Sequence, residues 1–170
     1  MNPSYFRIKL SMKDALPRLA LSLGIKEIGP LLETDSGKAV SLASTPQGTW
    51  RGAALFIYER KGWTVFEDVS GHFSGWSAEA WLKFAQNDEF VLAGYNDAIG
   101  FGEFSAILGG HIIRDCLFNP DEPAETINAG NLPFETERSR IRDWIGVARF
   151  VDSDEYTSSE RGWLWVRDQT

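Results

Sequence analysis

The sequence predicts an α+β fold: an antiparallel-rich β-sheet with about three helices packed on it, in a single domain covering residues 1–170. Three observations predict it. Apolar runs of strand length recur along the whole chain, several are paired across tight turns, and the amphipathic stretches between them do not follow the strand–helix alternation of a parallel sheet. A length of 170 residues suits one full hydrophobic core, and seven Trp and eleven Phe supply large packing units for it.

Tyr5 to Leu10 reads as the first strand. Ser11 then offers a helix N-cap with Asp14 three residues on, and Leu16, Leu19, Ala20 and Leu23 follow at helical spacing until Gly24 stops the run. Pro17 falls in the early part of this helix, where it costs least. Ile25 to Leu32 reads as a short extended piece and Glu33 to Lys38 as a polar turn. The run Ala53 to Tyr58 has the continuous apolar character of a strand buried on both faces, and Trp63 to Phe66 mirrors it across a Lys61-Gly62 turn, giving a hairpin with its first arm inside the sheet. Ser77 caps a second helix over Ala78 to Gln86, with Trp81, Leu82 and Ala85 on one face. Phe90 to Ala93 and Glu103 to Leu108 are further strands, and Gly109-Gly110 turns the latter into His111 to Arg114. From Asn119 to Pro133 no periodicity survives, because Pro120, Pro123 and Pro133 interrupt helix and strand alike. A third helix follows with Ile141, Trp144, Ile145, Ala148 and Val151 on its apolar face, and Trp163 to Val166 reads as a final strand with apolar residues on both faces.

Cys116 is the only cysteine, which excludes an intramolecular disulfide and a thiolate metal cage and predicts a buried thiol in a reducing compartment. The start Met1 to Arg7 lacks the basic and apolar regions of a secretory signal, and nothing approaches the ~20 apolar residues of a membrane span. A cytoplasmic protein without a membrane partner is expected. Net charge is −7, unevenly spread: residues 1–85 hold ten Lys/Arg against eight acids, residues 86–170 seven against sixteen. An acidic half of this kind repels nucleic acid and favours basic protein surfaces.

Recognisable catalytic machinery is missing. His72 and His111 stand 39 positions apart with no ligand spacing around them, so no metal site is expected. Ser70-Gly71-His72 lacks a nucleophile elbow, and the glycines around Gly100 and Gly102 form no phosphate cradle, so neither a catalytic residue nor a cofactor is assigned. Three features suggest binding instead. The segment Ala93 to Glu103 is a glycine-rich connection that carries Tyr95, Asp97 and Phe101, residue types suited to anchoring a partner. The acids Asp121, Glu122 and Glu125, continued by Glu135 and Glu137, are suited to steering a cationic partner. Asp152, Asp154 and Glu155 fall near the C-terminus of the last helix, where acids oppose the helix dipole and are retained for another use.

The stretches Gly62 to Gly71, Ala93 to Ile99 and Arg142 to Asp152 resemble small bacterial proteins encoded beside polymorphic or contact-dependent toxins, a likeness covering roughly residues 53–155. The resemblance implies an immunity protein, a non-enzymatic antitoxin that binds a cognate toxin or effector through a basic surface and occludes it. Two other classes stay open: a hydrolase or transferase using dispersed carboxylates with Tyr95 or His111, and an adaptor subunit. Convergent polar groups in a pocket favour an enzyme, and an exposed acidic surface with aromatic anchors favours a protein partner.

Overall fold

The computed structural model describes residues 3–154 and 161–168. One antiparallel sheet of nine strands runs through them. In chain order the elements are β1 (Ser4–Ile8), α1 (Met12–Ser22), β2 (Leu32–Thr34), α2 (Ser36–Ala43), β3 (Gly52–Arg60), β4 (Trp63–Asp68), α3 (Ala78–Ala85), β5 (Phe90–Asn96), β6 (Phe101–Leu108), β7 (His111–Phe118), a 3-10 turn (Pro123–Glu125), β8 (Ile127–Gly130), α4 (Trp144–Ser153) and β9 (Gly162–Asp168). Across the sheet the order is β2-β9-β3-β4-β1-β5-β6-β7-β8. The α+β class expected from the sequence is the one observed.

Helices cover both faces. On one, α1 and α3 pack over Phe6, Ile8, Leu55, Ile57, Phe66, Phe90, Leu92 and Trp165; on the other, α2 and α4 pack over Tyr5, Ala54, Phe56, Val65, Ala93, Phe104 and Leu164. This division follows from strand alternation: β1 sends Phe6 and Ile8 one way and Tyr5 and Arg7 the other. The first face is dominated by rings. Phe6 stacks on Phe66 at 4.7 Å between centroids and meets Trp81 at the same distance, while Trp81 stacks on Phe90 at 5.1 Å. Such pairs each add about 0.5–1.5 kcal/mol to the area they bury.

Both expected hairpins form. β3 and β4 pair through Arg60 and Trp63, and β6 and β7 through Leu108 and His111 across Gly109-Gly110, with a bulge between Ala106 and Ile107. β3 lies inside the sheet between β9 and β4, and the apolar residues on both sides of β9 are explained by its place between β2 and β3. Cys116 is buried, and burial pushes its thiol up to about 12.

Several expectations are corrected. There are four α-helices among the described residues, not about three. Glu33 to Lys38 is no turn: it holds the end of β2 and the start of α2, with Asp35 as N-cap accepting a hydrogen bond from Lys38 N at 2.9 Å. No strand forms between Ile25 and Leu31; the extended piece begins at Leu32. The segment after Asn119 contains a 3-10 turn and an edge strand, β8, paired to β7. The Ser11 side chain bonds Asp14 and caps no backbone amide, and Pro17 lies in the second turn of α1. α4 starts at Trp144, capped by Asp143, so Ile141 packs from the preceding loop, and Val147 takes the buried place expected of Ile145, which is exposed. The close seat of α4 on β6 depends on Gly102, where a Cβ would lie 2.8 Å from the Trp144 Cα.

Candidate functional site

Strand directions bring the chemically interesting residues to one end of the sheet. β4, β5 and β7 finish there and β1, β3 and β6 begin there. The Asn96-to-Phe101 turn and the acidic segment after Phe118 therefore emerge side by side, although about twenty residues separate them in sequence. They touch. A Cβ at Gly100, whose φ of 68° favours glycine, would lie 3.2 Å from Pro120 Cγ and 3.3 Å from Trp144 Nε1.

Each segment is shaped by its own asparagine, which leaves the acids free. Asn96 Oδ1 accepts from Ala98 N at 3.0 Å, and Asn119 Oδ1 accepts from Asp121 N at 3.2 Å. Asp97, Asp121, Glu122 and Glu125 are exposed as a result. Glu122 holds the Glu125 carboxyl above its usual range through a hydrogen bond and like charge, so the two acids crowd one another. Tyr95 and Phe101 are half-buried at the same end, and Tyr95 Oη donates to Asp152 Oδ1 at 3.0 Å.

Other sequence candidates serve the fold. Glu135 does not continue the acidic surface: its side chain is 2% exposed, pairs with Arg114 at 2.9 Å, and accepts from Leu132 N and Ile141 N. Burial pushes that carboxyl up, but the two amides and Arg114 outweigh it and hold it below the usual range. Asp154 is likewise enclosed, 5% exposed, with Arg7 Nη1 at 2.5 Å and the Tyr5 hydroxyl donating to it. The acids at the end of α4 are thus retained for intramolecular partners: Asp154 for Arg7 and Tyr5, Asp152 for Tyr95. Glu137 is exposed and pairs with Arg142. Glu155 lies outside the described residues.

The sheet end also contains a cleft of about 510 Å³ that sequence reading missed. Its floor is a cross-strand row: Ser4 on β1 lies opposite Gly94 on β5 and Gly94 opposite Glu103 on β6, with Asp68 at the end of β4 just beyond the Tyr5–Glu67 pair. Two small residues between two carboxylates leave the space open, over a backbone span of about 14 Å at the usual strand spacing. Trp50, Tyr95, Ile99 and Phe101 line the rest, with Ile99 51% and Trp50 39% exposed.

Both carboxylates hold the loop from Val69 to Trp76. Asp68 accepts from Phe73 N at 2.8 Å and from His72 N and the Ser70 hydroxyl at 3.2 Å; Glu103 Oε2 accepts from Gly75 N at 2.9 Å. Burial raises both pKa values, that of Glu103 to about 7, with the Asp68 charge adding to it. Glu103 Oε1 is buried without a hydrogen-bond partner among the described residues. His111 sits at the far end of β6, about 20 Å from Tyr95 by strand length. Among the described residues no three His, Cys, Asp or Glu side chains are grouped to hold a metal ion, and no helix is long and apolar enough to cross a membrane. No family model, curated protein or solved structure matches this chain.

Proposed function

We propose that the chain is a non-enzymatic binding protein of the immunity type, whose acidic and aromatic sheet end receives a basic surface of a cognate toxin or effector. The observation that carries this reading is the close approach of Gly100 to Pro120 and Trp144, which sets the Tyr95, Asp97 and Phe101 turn beside the Asp121, Glu122 and Glu125 segment. An exposed apolar rim beside unpaired acids matches what protein interfaces use: rings for anchorage, charge for encounter rate. In this reading Trp50 and Ile99 join Tyr95 and Phe101 as anchors, and Asp97 lies among the steering acids. Glu135 and Asp154 are left out because they are enclosed.

The test is affinity capture from the native bacterium with the tagged chain, followed by assay of the captured protein's toxicity or activity. A stoichiometric partner suppressed by wild type, with slower association when Asp121, Glu122 and Glu125 are neutralised, supports the reading. A partner whose association is indifferent to those changes and to Trp50→Ala and Phe101→Ala overturns the site. A second reading, a hydrolase with Glu103 as general acid, is favoured by the elevated pKa of that cleft carboxyl. Turnover by purified chain that is lost in Glu103→Gln, with no partner captured, would replace the first reading with the second.

A further inference from the structure

On the α3 face, next to the sheet end, a second cleft of about 410 Å³ lies between the start of α3, the strands β6 and β7, and the residues around Thr126. Strand register fixes what its floor presents. Glu103 and Ser105 are two positions apart on β6 and share a face, and Asp115 of β7 lies directly opposite Ser105. Glu103 is 3% and Ser105 2% exposed, yet Glu103 Oε1 and Ser105 Oγ have no hydrogen-bond partner among the described residues. Buried polar atoms are almost always satisfied, and two neighbouring exceptions that line one cleft point to a ligand which supplies the missing donors.

The character of the lining selects the ligand. Two carboxylates and a hydroxyl form the floor, Glu125 stands at the mouth, Trp76 offers a ring, and no lysine, arginine or histidine takes part. An anion is repelled. A metal ion lacks a donor set, since no three metal-ligating side chains are grouped among the described residues. An ammonium group supplies three donors and a positive charge at once, and a neighbouring indole face favours it further. We propose that this cleft binds a small organic cation, an alkylammonium, between Glu103, Ser105 and Asp115. The site shares only Glu103 with the first cleft and meets the protein interface proposed above at Glu125 alone.

The test uses n-butylamine as probe and 1-butanol as its uncharged isostere, each titrated calorimetrically into the full chain. Saturable one-to-one binding of the amine, at least tenfold tighter than the alcohol and weakened at least tenfold by Glu103→Gln and by Asp115→Asn, is the expected result. Asp115 is half-buried, so its variant keeps the test usable if the Glu103 variant fails to fold. A wild-type measurement adds a second readout. The Glu103 carboxyl, held near pH 7 by burial and by the Asp68 charge and surrounded also by Asp115 and Glu125, should release a proton on amine binding at pH 6 and none at pH 9. Absence of saturable amine binding, equal binding of amine and alcohol, or affinity unchanged in both variants would overturn the proposal and leave the cleft to water.

Discussion

Replacing Glu103 by Gln tests the electrostatics of the sheet end without changing its shape. In the folded chain the carboxyl titrates at about 7, against an ordinary value of 4.5, because burial penalises the charged form more than the Gly75 amide and the Ser74 hydroxyl stabilise it. A raised value in the folded state means that the wild-type chain is at full stability below pH 4.5 and loses stability as the pH rises towards 7. The interval from 4.5 to about 7, at about 1.4 kcal/mol per unit, amounts to roughly 3 kcal/mol. Glutamine cannot ionise and escapes that loss. Urea unfolding of both proteins from pH 4.5 to 8.5 should show Glu103→Gln gaining on wild type by roughly 3 kcal/mol across the range, or about 6–12 °C in Tm for a chain of this size. A difference that stays flat with pH would show that Glu103 is ionised or solvated in the folded state. It would also remove the electrostatic basis of the general-acid reading and of proton release on amine binding.

Further outcomes follow from other contacts. Arg114→Met leaves Glu135 enclosed without its cation and removes donors from the Ala129 and Ile141 carbonyls, so unfolding should be easier by about 3–5 kcal/mol. Because Glu135 is held below its usual value, its contribution is present above pH 4.5 and is lost as the pH falls through that lowered value, and chemical denaturation should show the deficit narrowing in acid. Gly102→Ala places a methyl group 2.8 Å from the Trp144 Cα; thermal unfolding should register a loss of about 1–3 kcal/mol as α4 lifts from β6. Neutralising Asp121, Glu122 and Glu125 together should leave the unfolding midpoint unchanged while slowing partner association and flattening its salt dependence in stopped-flow measurements.

The strands were legible wherever apolar runs met tight turns, as at Lys61-Gly62 and Gly109-Gly110. α2 was not, because Ser36, Gly37 and Ser41 dilute its helical pattern and only Ala39 and Ala43 are buried from it. β8 has no alternation to read: all four of its residues are exposed, and it exists because the edge of β7 offers backbone partners and Arg114 holds the Ala129 carbonyl. For the site, residue type was informative and environment was not. Asp121 and Glu135 look alike in sequence, yet one faces water and the other meets an arginine 21 residues earlier. Asp154 finds its arginine 147 positions away. The row joining Asp68 to Glu103 required the order β4-β1-β5-β6, which no local pattern encodes.

That strand order also bears on synthesis. β9 slots between β2 and β3 yet follows β3 by about a hundred residues, so until it arrives β3 presents Ala54, Phe56 and their neighbours along an unsealed edge. Holdase chaperones or a lower growth temperature should each raise the soluble yield more than any change to the finished surface.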